Sequence, residues 1–357
     1  MKLNIMVTAS GSAIAQGIMK SLRISDLDSN LVTTDTQPYA AGLYRGKSGY
    51  IVPKAKDENF IDEIIKICNK ENIDCIFIGT DYELLKFAEN KERIEKETES
   101  NTKVIVSSPE KIRIADDKWL TYKFFAENNL PHIPSVLSED YEELINKEEF
   151  PFIIKPRIGD SSKDIFIVKN RKELEENLDY VLNKKPDNKY LSESPGFMIQ
   201  KYLKDESQEF TSTTFSFENK CYGVLSMNRE MKYPGHTTKA IIKNFPEIDD
   251  YIQKVAGIFN ALGPANFQSR IMNGKPYVFE INCRFSGTTP FCAQVGFNTV
   301  EAAVKRIVLN QDINDLTHRN GVMLRYFNEV FIPQKNVDEI IKNKFVENPD
   351  SKINKVF

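Results

Sequence analysis

The chain lacks most of the features that would take it out of a reducing, aqueous compartment. Its 357 residues hold only five cysteines, Cys68, Cys75, Cys221, Cys283 and Cys292. An odd number with no CxxC pair disfavours a disulfide framework or a structural zinc. No apolar run approaches the ~20 residues of a membrane span. The opening MKLNIMVTAS is too soon broken for a signal peptide. Neither sign of charge dominates: 48 Lys and Arg stand against 51 Asp and Glu, a net of −3. That balance argues against a general polyanion binder. Internal repeats and low-complexity segments are absent, as are GxGxxG, GxxxxGK[ST] and any Ser–His or Cys–His nucleophile pattern. These absences lead to the expectation of a cytoplasmic protein with no nucleic-acid and no membrane partner.

What remains is a folded composition, 41% hydrophobic and 28% charged. At ~100–200 residues per domain the length suggests two or three domains. The first hundred residues alternate strand-like runs with helical patterns. The strands read as Leu3–Val7, Asn30–Thr34, Cys75–Ile78 and Val104–Val106, with helices over Ala13–Leu22 and Asp81–Glu89. Such alternation implies βαβ units and a parallel sheet, a Rossmann-like α/β domain over residues 1–112. A helix over Lys111–Asn128 follows, capped by Asp116 or Asp117. From Phe152 strands crowd together: Phe152–Lys155, Ile165–Val168, Phe197–Tyr202, Glu209–Phe217, Tyr222–Met227, Phe267–Met272 and Tyr277–Asn282. Helices Arg171–Leu182, Ile248–Ala261 and Thr299–Leu309 complete an α+β domain over 113–310. The lysine-rich segment 311–357, with an amphipathic stretch at Val337–Ile341, reads as a tail packing on that second domain.

Three stretches carry chemistry. In the first, Thr8-Ala9-Ser10-Gly11-Ser12 leaves a strand and opens a helix, and Asp35 ends the next strand. This turn either aims N–H groups at an anion or merely permits a tight corner. Thr80 and Asp81 open on the same carboxyl edge, where ligands of α/β sheets bind. Ser10, Gly11, Ser12, Thr80 and Asp81 are thus candidate substrate contacts, with Asp81 alternatively a helix cap. The second stretch is Phe152-Ile153-Ile154-Lys155 and the loop with Gly159, Ser161 and Ser162. Here a strand delivers a lysine beside small residues whose N–H groups approach phosphate. The third is Phe279-Glu280-Ile281-Asn282-Cys283-Arg284. Alternation puts Glu280, Asn282 and Arg284 on one face, and Cys283 in the core. With Gln268 these are hard-cation ligands suited to Mg²⁺. Gln268 shares their face only through a three-residue loop, Met272 to Gly274, pairing Ile271 with Lys275, or through an equivalent bulge elsewhere.

Lys118, the KPRIGDSSKDI loop, Ile199-Gln200-Lys201-Tyr202-Leu203, Glu209 and the FEINCR strand occur in the order seen in ATP-grasp enzymes. Over about residues 1–310 the chain resembles the carbamoyl-phosphate-synthase large-chain branch of that superfamily, and stand-alone ligases built on it. The resemblance implies a Rossmann-like pre-ATP-grasp domain and then an ATP-grasp fold with a lid subdomain at about 118–200. It implies that Lys118 and Lys155 bind nucleotide phosphates, and that Gln200 to Leu203 form the adenine hinge, partly through backbone groups. Glu209 would hold the ribose and Gly159, Ser161 and Ser162 the phosphates. Glu280, Asn282 and Gln268 would hold Mg²⁺, with Mn²⁺ an alternative, and Arg284 would stabilise the transferring phosphoryl group. Arg229, His236 and Lys239 fall where such enzymes place loops over the phosphates or acceptor. Two departures stand out. Ser161 and Asp164 occupy positions where glycine is common, which implies a stiffer loop. One ATP-grasp unit fills 357 residues, which argues against carbamoyl phosphate synthesis itself. The implied activity is ATP-dependent carboxylate–amine ligation on small-molecule substrates, in a monomer or a homo-oligomer. The alternatives are an NAD(P)-dependent oxidoreductase using the first domain, and a non-catalytic ATP-binding module.

Overall fold

Runs such as Leu3-Asn4-Ile5-Met6-Val7 need burial on both faces, and the fold supplies it. The computed structural model describes residues 2–159, 164–183, 196–203, 209–233, 236–326 and 328–348. Among these, β1 (Leu3–Val7), β2 (Ser29–Asp35), β3 (Ser48–Ile51), β4 (Cys75–Phe77) and β5 (Lys103–Ile105) form a parallel sheet in the order β3-β2-β1-β4-β5. Met6, Val32 and Ile76 face helix Phe60–Glu71 on one side. Ile5, Val7 and Phe77 face helix Ala13–Arg23 on the other. Phe215, Phe285, Val300 and Val304 join that second core. The first domain is therefore seated on the second by continuous apolar packing.

A small antiparallel sheet, β6 (Ser135–Leu137), β7 (Phe152–Pro156), β8 (Phe166–Val168) and β9 (Phe197–Lys201), has the order β6-β9-β7-β8. Helix Arg171–Asn183 packs Leu174, Leu178 and Val181 against it. The third sheet contains β10 (Glu209–Phe217), β11 (Lys220–Tyr233), β12 (His236–Ile242), β13 (Gly263–Met272), β14 (Lys275–Asn282) and β15 (Gly321–Leu324), in the order β14-β13-β10-β11-β12-β15. Its apolar face (Phe210, Phe267, Val278, Ile281) packs on helix Pro246–Phe259. Its other face is polar over β13, β14 and the adjoining ends of β10 and β11, where it fronts the cleft, and apolar further along, where Leu225, Met227, Ala240 and Ile242 pack on Phe291 and Phe297.

Four expectations need correction. The helix over Lys111–Asn128 is two helices, Pro109–Asp116 and Lys118–Glu127, broken at Asp117. The Asp117 carboxylate caps the second by accepting from the Trp119 N–H at 2.9 Å. The segment carrying Arg229 and Lys239 is the β11–β12 strand pair rather than a loop. The β13–β14 hairpin closes on a two-residue Asn273-Gly274 turn, both at positive φ, which pairs Met272 with Lys275. The required bulge lies further on: Ser269 pairs with Val278 and Gln268 with Glu280, so Phe279 is the extra residue. Finally, the tail is not confined to the second domain. β15 pairs with β12, but helix Gln334–Asn343 and β16 (Phe345–Glu347) return to the first sheet. There β16 runs antiparallel to β3, and Val337, Ile340 and Val346 pack on Leu43 and Tyr44. Short strands choose partners by tertiary packing, which a local pattern cannot announce.

Candidate active site

Two lysines enter the cleft from different elements. Lys155, near the end of β7, is 5% exposed, and its Nζ donates to Gln200 Oε1 at 2.8 Å. Gln200 in turn donates from Nε2 to Ser135 Oγ at 2.9 Å. Burial pushes Lys155 down to about 7; the nearby Lys118 charge adds to this and Glu280 opposes it. Lys155, Lys118 and Glu280 thus share one electrostatic field. Lys118 opens its helix, donates from Nζ to the Gly159 carbonyl at 2.9 Å, and is backed by the Asp117–Arg157 ion pair at 2.5 Å. Ser161 and Ser162 lie outside the described residues, as does the His236 side chain.

On the polar face of the large sheet a single hydrogen-bonded chain runs across four strands. Arg229 on β11 and Arg270 on β13 both donate to Glu209 on β10, the latter at 2.8 Å. Burial would raise the Glu209 carboxyl, but the two guanidiniums hold it below the usual carboxylate range. Arg229 also donates to Gln268 Oε1 at 2.7 Å. Gln268 and Asn282 each give an amide N–H to Glu280 Oε1, at 3.1 and 2.9 Å. Arg284 then donates to Asn282 Oδ1 at 2.8 Å and to both oxygens of Asp81, at 2.5 and 2.9 Å. The bulge at Phe279 is what keeps Glu280 and Asn282 beside Gln268 while Val278 and Ile281 remain in the core. Cys283 is buried with them, its thiol pushed up to about 11.

Other predicted contacts fall elsewhere. Lys239 pairs with Glu230 at 2.7 Å in an exposed cross-strand ion pair, one position out of phase with Arg229, so it faces away from the cleft. In the hinge, the Lys201 and Tyr202 N–H groups are already given to the Pro134 and Pro151 carbonyls, at 2.9 and 3.1 Å. Lys201 Nζ donates to the Glu149 carbonyl. Leu203 is buried, and its carbonyl accepts from Arg270 at 3.2 Å. In the first domain the Gly11 N–H is taken by Asp35 Oδ2 at 2.8 Å, and Asp35 Oδ1 accepts from Gln37 N–H at 3.0 Å. Here the glycine turn gives its N–H to the chain's own Asp35 carboxylate. Ser12 caps its helix, Ser10 is buried, and Thr80 takes the cap position that Asp81 was expected to hold. An open cleft of about 470 Å³ beside this turn is lined by Gly11, Ser12, Asp35, Tyr39 and Thr80.

Two carboxyls escaped the sequence. Asp116 lies where Asp81, Lys118 and Arg284 all act on it; desolvation raises it above the ordinary range, with Asp81 adding to the shift. Glu83, 4% exposed, accepts from the Thr8 hydroxyl and is pushed up to about 7 by burial, with the Asp35 charge adding. No local pattern marks either.

Among the described residues no group of three or more His, Cys, Asp or Glu is arranged to hold a metal. Nor is any helix long and apolar enough to cross a membrane. Yet Glu280 and Asn282 supply a carboxylate and an amide oxygen on one half-buried face. That donor set suits a Mg²⁺ that keeps waters and shares substrate phosphates. Gln268 and Asn282 are held alike: each gives its amide N–H to Glu280 Oε1 and accepts on its oxygen from an arginine, Arg229 and Arg284 respectively, so either oxygen would turn to a metal only by leaving that arginine.

Residues 5–105 match a family model described as a PylC-like N-terminal domain, and residues 115–288 match one described as an ATP-grasp domain. Three solved structures share the fold. N5-carboxyaminoimidazole synthetase from Staphylococcus aureus, complexed with ADP, is 17% identical with a TM-score of 0.67, over 91% of this chain and 82% of that one. Biotin carboxylase from Campylobacter jejuni is 16% identical with a TM-score of 0.69, over 89% and 74%. L-amino acid ligase from Bacillus licheniformis is 15% identical with a TM-score of 0.64, over 86% and 74%.

Proposed function

Through residues 115–288 the chain belongs to the ATP-grasp family, and on that premise we propose that it joins a small-molecule carboxylate to an amine at the expense of ATP. The observation that carries this reading is the hydrogen-bonded set of Gln268, Glu280, Asn282 and Arg284 on one sheet face, with Lys155 buried close enough for Glu280 and Lys118 to act on its charge. Two ammoniums and one carboxylate there meet the need of a triphosphate brought beside an anionic acid. The N-terminal match and the likeness to an amino acid ligase add support for an amide product.

In the proposed reaction a carboxylate oxygen attacks the γ-phosphorus of ATP and the bond to ADP breaks, giving an acyl phosphate. An amine then attacks the acyl carbon, phosphate leaves, and the amine loses a proton as the amide forms. Lys118 and Lys155 would bind the phosphates. Arg284 would bear on the charge that develops in transfer. Glu280 and Asn282 would hold Mg²⁺, which supplies Lewis-acid neutralisation of phosphate oxygens. Gln200 and Leu203 would border the base. Glu209 is pre-set for the ribose by Arg229 and Arg270, which keep it ionised and fix its oxygens.

The test is ADP release over a panel of carboxylates and amines with ATP and Mg²⁺. One acid–amine pair should stimulate release and yield the amide by mass spectrometry. Glu280→Gln should lose at least 100-fold in that rate with an unchanged melting profile. Stimulation by no pair, or full turnover by Glu280→Gln, would overturn the reading.

A further inference from the structure

Arg284 is held on all three of its guanidinium nitrogens. Its Nε donates to Asp81 Oδ1, its Nη2 to Asp81 Oδ2 and Asn282 Oδ1, and its Nη1 to the Phe285 carbonyl at 2.9 Å. A guanidinium carries five N–H groups, so these contacts engage four of them. Asp81 comes from the first domain, 203 positions away in the chain. The Asp81 side chain is 47% exposed, whereas that of Arg284 is 14% exposed. A half-exposed ion pair adds little to stability. What a two-pronged carboxylate–guanidinium contact does supply is a fixed plane and direction. Asp81 is also free of the helix-capping duty expected of it, since Thr80 stands at that position. The helix dipole favours an acid in this first turn, but it does not dictate a partner, and the partner is the one arginine that continues the Glu280–Asn282 strand.

We propose that Asp81 is a positioning residue: reaching across the domain boundary, it aims the Arg284 guanidinium at the site of phosphoryl transfer. The proposal rests on the ligase reading of that site. It replaces the expectation that Asp81 touches substrate, and it makes the first domain a working part of the nucleotide cleft. Asp116 and Glu280 also bear on this pair electrostatically. Only Asp81 and Asn282 hold the guanidinium by side-chain hydrogen bonds among the described residues.

A double-mutant cycle in the full chain separates a residue that acts through Arg284 from one that acts on its own. The rate is ADP release with ATP, Mg²⁺ and the most stimulating acid–amine pair. Asp81→Ala should lower kcat at least tenfold with less than a threefold change in the KM for ATP. Asp81→Glu should recover part of the loss. Asp81→Ala combined with Arg284→Ala should be no slower than Arg284→Ala alone. Multiplying losses in the double variant, an unchanged kcat in Asp81→Ala, or a change confined to the KM of the acid or amine would overturn the proposal. The isosteric Asp81→Asn serves if Asp81→Ala does not fold. If unmodified protein shows no stimulated ADP release, the ligase reading fails by itself. The contact is then judged by ¹⁵N-arginine labelling. The Nε–H signal absent in Arg284→Lys should shift and exchange faster in Asp81→Asn; an unmoved signal would refute the assignment.

Discussion

Lys155 shows how one side chain reports its surroundings. A lysine ordinarily titrates near 10.5, but here burial and Lys118 bring it to about 7. The folded protein thus binds fewer protons than the unfolded chain between about 7 and 10.5, so this group favours folding increasingly as pH rises through that window. Nucleotide phosphates bound at Lys155, as proposed, would reverse the shift, because they favour the charged form. Binding of ADP with Mg²⁺ at pH 8 should therefore take up a proton. Affinity should fall by up to about tenfold per pH unit above 7. Calorimetry in two buffers of different ionisation enthalpy reads the uptake directly, and Lys155→Met should abolish it; buffer-independent heats in the unmodified protein would contradict the assignment. The lysine and its β7 strand were legible in sequence, because an apolar run ending in Lys beside Gly159 is a local pattern. Its Gln200 partner, 45 positions away, and the Asp81–Arg284 contact were not. Neither contact leaves a mark on sequence spacing.

The β13–β14 hairpin is the element on which the metal-side chemistry depends. Strand alternation correctly put Glu280 and Asn282 together, and it required a bulge for Gln268 to join them. Of the two places the pattern left open, the turn and elsewhere in the hairpin, the structure takes the second. Asn-Gly at positive φ suits the two-residue turn whose twist matches its strands, so the turn stays short and the extra residue moves to Phe279. Gly274 has φ of 72°, where an L side chain is strained. Gly274→Ala should cost about 1 kcal/mol in urea unfolding. ADP affinity should stay within a few-fold, since the bulge lies several residues beyond. A loss of binding at unchanged stability would mean that the turn, and not Phe279, sets the register. β3, with Ser48 and Gly49, and β15, opening on Gly321, escaped detection for a different reason. They are short and low in strand-forming residues, and their neighbours decide for them.

At the scale of the whole molecule, three contacts of different kinds are among those that join the two domains. The core around Ile18, Phe77, Phe285 and Val304 is apolar, the Asp81–Arg284 pair is ionic, and the returning segment 334–347 is a covalent continuation that re-enters the first sheet. The third is the most easily tested. Ile340 is fully buried against Leu43, Tyr44 and Val346, and Ile340→Ala should remove roughly 2–5 kcal/mol of stability. The loss should appear in hydrogen exchange of β3 and β2 before it appears in β10 or β13. Uniform loss of protection would show instead that the two domains unfold as one unit. Doubly covered strands were readable along the chain because burial writes continuous apolar runs. The destination of the tail was not, since an amphipathic stretch says that it has a partner without saying which.

β16 is made long after β3, the strand it covers. While the ribosome works through everything between, β3 waits with one rim unpaired, a template for any extended segment that drifts near. Chains that stop short of β16 should therefore be the ones that clump or draw chaperones, even when their nucleotide cleft is already complete.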